Sequence, residues 1–349
     1  MVLKTQDKRI AYFDFLRIFA TFAIMIQHID PYGSTDPTTA MYVVRLIFDL
    51  LTRWGVNIFL MISGALFLGS ESSIKRIYTH NILRIFTSFV FWSALYSVIR
   101  TAIYHYGFMN MVIEFVFGHY HMWFLCMIVE LYILTPILRK AIVSWKIGKY
   151  LLAILFIYSC LMPQTTDLLA LVSPTLADLV GETFSKYFRN HFHTGLFYYV
   201  LGYYLSKCRL TACRSRIIYI AGILGALVSG VATYMLARMG NQSTVLLERH
   251  MITMLAFTVA IFVFARNHFS FEGMKKKTVS IILKLSKYSF GAYLVHALVL
   301  EMMMEYIGRE AFQVGAFLSI PLVFIIVCVI SFAISAILNH IPLLKKYIV

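Results

Sequence analysis

Apolar residues run along this chain in blocks of roughly 17–25, the length that crosses a bilayer core as a helix. Polar residues collect between the blocks. Ten spans are predicted, near 11–30, 48–69, 82–103, 119–138, 148–163, 194–206, 216–237, 250–266, 288–306 and 314–338. The fifth and sixth are the shortest. Two more apolar segments, 41–53 and 166–190, are predicted to lie half-buried beside them. The pattern predicts an all-α, polytopic integral membrane protein. Residues 1–349 read as a single membrane-embedded domain with no separate soluble domain.

Every second loop is basic. Lys4, Lys8 and Arg9 precede the first span, and Lys75, Arg76 and Arg84 follow the second. Arg139, Lys140, Lys146 and Lys149 follow the fourth, and Lys207, Arg209, Arg214 and Arg216 the sixth. Arg266, Lys275, Lys276, Lys277, Lys284 and Lys287 follow the eighth, with Lys345 and Lys346 near position 349. The intervening loops hold only Lys186, Arg189, Arg238, Arg249 and Arg309. Cytoplasmic loops carry the excess of lysine and arginine, so both termini are predicted to be cytoplasmic.

Composition agrees with the pattern. Hydrophobic residues make up 60% of the 349 and charged residues 13%, against about 25% in soluble domains. The net charge of +15 would suggest nucleic-acid binding in a soluble protein, but the loop alternation accounts for it here. Five cysteines without ligand-like spacing argue against a disulfide framework or a zinc site. The basic start resembles a signal peptide, but it lacks a small-residue cleavage site and carries Arg17 inside the apolar run, which predicts a retained first span.

Polar residues inside spans then carry the chemistry, because an ionisable group there costs roughly 2.5–3.5 kcal/mol or more. Arg17 and His28 are eleven residues apart in the first span. At about 100° per residue they share one helix face, separated by roughly 16 Å along the axis. Asp14 lies close to the same face, three residues before Arg17. The arginine is too far away to orient the histidine, so the two read as stations on one path across the membrane. Snorkelling of Arg17 and an interfacial His28 are the plainer alternatives for each alone. Arg45, Asp49 and Arg53 form a second stripe at spacing four, equally consistent with an interfacial helix stitched by ion pairs. Ser63 and Gly64 suit close helix packing. His119, His121 and Trp123 open the fourth span, and Glu130 follows on the face opposite His121. His296 sits in the ninth span with Glu301 and Glu305 beyond it. No Gly-rich phosphate loop, metal-ligand spacing or nucleophile elbow stands out, and no metal is expected.

The ordered motifs resemble membrane-bound acyltransferase family 3. They are Phe13-Asp14-Phe15-Leu16-Arg17 with ten residues before His28, Gly55-Val56-Asn57-Ile58-Phe59 running on to Ser63-Gly64, and Lys75-Arg76 with Arg84. His121-Met122-Trp123-Phe124-Leu125 with Tyr132 and Pro136, then Tyr293-Leu294-Val295-His296, complete the set. The histidine-Trp-Phe-Leu form is most similar to the stand-alone surface-polysaccharide O-acetyltransferase branch. Two departures stand out. Many members carry two arginines three apart, but here Asn81 stands three before Arg84, so the first of the pair is missing or shifted to Arg76, and Glu130 stands alone where many members carry two glutamates.

The resemblance implies transfer of an acyl group, usually acetyl, from cytoplasmic acyl-CoA to a hydroxyl of a cell-surface glycan or lipid-linked sugar. It implies a bacterial cell membrane, lipid contacts and a possible homo-oligomer, with no nucleic-acid partner. On that reading His28 is the general base or an acyl carrier, with Arg17 and Asp14 as further catalytic residues. Lys75, Arg76 and Arg84 would bind the donor, and Arg53, Glu130, His121 and His296 are candidates to orient His28. The competing reading is a transporter or flippase of a glycan, since intramembrane charges also mark substrate paths. Neither inverted repeats nor matched broken helices are visible in the sequence.

Overall fold

A computed structural model describes residues 9–29, 36–188, 192–308, 314–315 and 317–349. Lys4, Lys8, Asp30, Arg189 and Arg309 lie outside the described residues. The structure is 82% helical with no strand among the described residues. The protein is all-α and polytopic, as its apolar blocks require: a lipid-exposed backbone must satisfy its own hydrogen bonds.

The helices are α1 (Ala11–His28), α2 (Ala40–Thr52), α3 (Gly55–Leu68) and α4 (Ile74–Tyr104). Then follow α5 (Phe108–Phe117), α6 (Trp123–Val143), α7 (Trp145–Val172), α8 (Pro174–Phe188) and α9 (Phe192–Lys207). The rest are α10 (Ala212–Arg238), α11 (Ile252–His268), α12 (Lys276–Tyr306), α13 (Ser319–Leu338) and α14 (Pro342–Tyr347). Six helical stretches among the described residues are long and apolar enough to cross a membrane: α2 with α3, α4, α7, α10, α11 and α13. The other four predicted spans coincide with α1, α6, α9 and α12.

Three details differ from the sequence reading. The second predicted span breaks at Arg53 and Trp54, where Arg53 turns back onto Asp49. The ten-residue apolar helix α5 falls where no element is predicted. The described part of segment 166–190, through Phe188, forms the end of α7 and the separate helix α8. Helices α4 and α7 each widen into a π-turn, at Ile77–Ile82 and Ile157–Leu161. The first ends two residues before Arg84, and such turns are frequent at functional sites.

Helix α1 packs between α3 and α12, α3 runs along α9, α10 along α11, and α12 along α13. The α3–α9 contact rests on small residues. A Cβ at Gly64 would fall 1.7 Å from the Tyr199 carbonyl oxygen, and one at Gly202 would fall 2.2 Å from that of Met61. Close backbone approach at small residues drives helix association in lipid, where hydrophobic exclusion of water is absent. The packing expected at Ser63 and Gly64 is therefore present, and it fixes α3 beside α1.

Candidate active site

The face shared by Arg17 and His28 borders two cavities stacked along α1. The arginine cavity, at the start of α1, has a volume of 790 Å³. Its basic lining residues are Arg9, Arg17, Arg84, Lys276, Lys284, Lys287 and Lys345, and its lining contains no aspartate or glutamate. Asn81 and Ser63 add polar groups, and Phe59, Phe67, Leu125 and Ile128 form an apolar wall.

Asp14 organises this end. It is 1% exposed and accepts from Arg9 Nε and Nη2, each at 2.7 Å, and from Ser286 Oγ at 2.5 Å. Arg17 Nη1 stands 3.7 Å from the same carboxylate. Asp14 therefore anchors the cations at the start of α1 and is remote from His28. Arg84 donates to the main-chain oxygen of Val349, and its guanidinium lies over the Phe290 ring, 5.6 Å from the centroid. Asn81, three residues before Arg84, lines the same cavity and adds a neutral amide to it. Lys75 and Arg76 sit exposed at the start of α4 and do not line the cavity.

The histidine cavity, 320 Å³, lies at the far end of α1 and is lined by Gln27, His28, Asn57, His121, Trp123 and Tyr293, among others. His28 Nδ1 is 2.7 Å from His296 Nε2, with the two rings nearly parallel at 11°. His296 is fully buried, and its Nδ1 lies 2.5 Å from the Tyr293 carbonyl oxygen, three residues back on α12. A carbonyl only accepts, so His296 Nδ1 carries the proton and, with both rings uncharged, its Nε2 is the acceptor. His28 Nδ1 then donates, which leaves His28 Nε2 with a free lone pair. Of the four candidates to orient His28, His296 is the one in hydrogen-bond contact.

The other three are placed as follows. His121 is 1% exposed, with Nε2 at 3.3 Å from the Leu294 carbonyl and Nδ1 at 3.0 Å from His119 Nδ1. Both of its ring nitrogens are therefore engaged, and its ring packs against His296 with centroids 5.1 Å apart. Arg53 also lines the histidine cavity, but it is held by carboxylates: Nε and Nη2 reach Asp49 at 2.6 and 2.9 Å, and Nη1 reaches Glu248 at 3.0 Å. Glu130 is exposed and lines neither cavity.

Phe124 lines both cavities. Its ring sits between Phe59 at 6.0 Å and Tyr293 at 5.9 Å, centroid to centroid. These three aromatics separate the two spaces. Sequence reasoning gave no role to Phe124, Arg249 or the side chain of Asn57. Arg249 did leave a signal, as one of the few basic residues on the arginine-poor side of the chain.

Arranged this way, the site can hold a polyanion at one end and present an oriented, uncharged imidazole at the other. A search of curated proteins and a search of solved structures each returned no significant match. The family model for the acyltransferase domain of acyltransferase family 3 matches residues 10–340. The protein is a membrane acyltransferase, and the chain belongs to acyltransferase family 3.

Proposed function

We propose that the protein is an O-acyltransferase of a bacterial cell membrane. It takes an acyl group, acetyl in the first instance, from acyl-CoA in the arginine cavity. It passes that group to a hydroxyl of a cell-surface glycan or lipid-linked sugar in the histidine cavity. The observation that carries this reading is the juxtaposition, across Phe124, of a cavity whose charged lining is entirely basic and an imidazole with a free Nε2.

CoA carries several phosphates, and guanidinium and ammonium groups bind phosphate through charge-assisted hydrogen bonds. The positive-inside bias puts the arginine cavity on the cytoplasmic side, where acyl-CoA is made. Arg17 and His28 are roughly 16 Å apart along α1, a distance for the pantetheine arm to cover past Phe124. His28 Nε2 then removes the proton from the acceptor hydroxyl as its oxygen attacks the thioester carbonyl. The new C–O bond forms, the C–S bond breaks, and the thiolate recovers the proton from His28. His296 holds the base in the required tautomer.

Purified protein in proteoliposomes, given labelled acetyl-CoA and cell-surface glycan, should release CoA and label the glycan. His28→Ala should abolish both while still binding acetyl-CoA. Wild-type turnover by that variant would remove His28 from the reaction. Labelled histidine recovered from the wild-type protein would make it an acyl carrier and not a base.

A further inference from the structure

The histidine cavity contains two polar groups that the transfer step does not use, each with hydrogen-bonding capacity left over. The first is Asn57, which is 1% exposed. Its Nδ2 lies 3.5 Å from Thr258 Oγ1, and that hydroxyl spends its own proton on the Met254 carbonyl at 2.8 Å. Thr258 then accepts from Asn57 Nδ2, and Oδ1 is the remaining atom of the amide. Asn57 Oδ1 is buried without a hydrogen-bond partner. An unmet acceptor at such a position is costly unless a ligand supplies the donor.

The second is Arg249. Its guanidinium lies over the Trp123 ring, 4.8 Å from the centroid. No hydrogen-bond acceptor among the described residues reaches the guanidinium, so its N–H donors stay open. The neighbouring carboxylates bond to Arg53: Asp49 takes two bonds and Glu248 Oε1 a third, and Glu248 attracts Arg249 by charge without a hydrogen bond to it. Stacking on an indole occupies a guanidinium's face and leaves its edge free for a planar anion. Asn57, Arg249 and His28 line the same 320 Å³ space, together with Asp49 and Glu248, whose carboxylates Arg53 neutralises in part, which leaves Arg249 as the second cation.

We infer that this cavity is a subsite for an acidic sugar: Arg249 grips a carboxylate or phosphate and Asn57 Oδ1 accepts a hydroxyl proton, with a further hydroxyl presented to His28. A neutral sugar makes no ion pair with Arg249, and an anion without hydroxyls leaves Asn57 Oδ1 and His28 unused. The inference rests on the proposed acceptor side of the reaction and names its chemical class. Trp123 couples the site to a measurable signal.

The experiment is equilibrium binding to the purified full-length chain, followed by tryptophan fluorescence, with no donor present. Methyl glucuronide, glucose 1-phosphate and methyl glucoside are the probes. At least one acidic sugar should bind ten or more times more tightly than methyl glucoside. Arg249→Gln should erase that preference, Arg249→Lys should retain part of it, and Asn57→Leu should weaken all sugars alike. Melting temperature checks that each variant is folded. A glucuronide preference identifies a carboxylate-bearing glycan, and a preference for the sugar phosphate identifies a phosphate-linked one. Equal binding of neutral and acidic sugars, no binding of any, or an unchanged preference in Arg249→Gln would overturn the inference. Because no acyl transfer is measured, these outcomes are independent of the His28 assay.

Discussion

Replacing His296 by alanine tests the geometry of the base directly. The substitution removes the acceptor 2.7 Å from His28 Nδ1 and frees the His28 ring to turn and to exchange tautomers. A buried hydrogen bond is worth about 0.5–1.5 kcal/mol net, and full burial of His296 puts this one near the top of that range. That alone is close to a tenfold loss, since 1.36 kcal/mol is a factor of about ten. Misplacing a reacting group by about 1 Å can cost on the order of 100-fold. The kcat of His296→Ala should therefore fall by about 10- to 100-fold while KM for acetyl-CoA holds, because the donor binds in the other cavity. His296→Gln offers a carbonyl oxygen at similar reach and should recover most of the loss. The assay is steady-state CoA release in proteoliposomes, with melting temperature and elution profile recorded for each variant. Wild-type kcat in His296→Ala would refute the positioning role. So would a loss in His296→Gln equal to that in His296→Ala, since the effect would then follow shape and not hydrogen bonding.

Three further outcomes are expected. Arg17→Ala and Arg84→Ala should each weaken acetyl-CoA binding by about tenfold or more, the worth of one charge-assisted hydrogen bond of ~1.5–3 kcal/mol; isothermal titration with unchanged affinity in both would remove CoA from the arginine cavity. Phe124→Ala should open the wall between the cavities and raise acetyl-CoA hydrolysis without acceptor, seen as CoA release into glycan-free buffer; no rise would mean that Phe124 is not the barrier. Gly64→Val should lower the melting temperature in detergent by driving α3 away from Tyr199, where even a Cβ meets the carbonyl oxygen at 1.7 Å; an unchanged value would contradict the close crossing of α3 and α9.

The parts of this protein that are local in sequence were legible there. Block length and loop charge gave the helices, and an eleven-residue spacing put Arg17 and His28 on one face. The same helix arithmetic separated His121 from Glu130, one buried and the other exposed in the structure. What remained hidden depends on contacts between distant segments. His28 meets His296 across 268 positions, and periodicity could not rank that partner above Arg53 or His121. The engagement of Arg53 by Glu248 is equally remote, and it explains why a promising stripe residue is unavailable to His28. Helix α5 escaped notice because ten apolar residues are too few to register as a span. The aromatics that stand between Arg17 and His28 were hidden for a similar reason: they come from α3, α6 and α12.

The aromatic partition at Phe124 has an electrical consequence. In the proposed reaction an acyl group crosses it in one direction, and the acceptor's hydroxyl proton crosses in the other to end on the CoA thiol. Counted as ions, one positive charge moves each way, so a turnover neither charges nor discharges the membrane. No aqueous pore has to open for this exchange. Transfer should then draw its driving force from the thioester alone and proceed at the same rate in energised and de-energised vesicles.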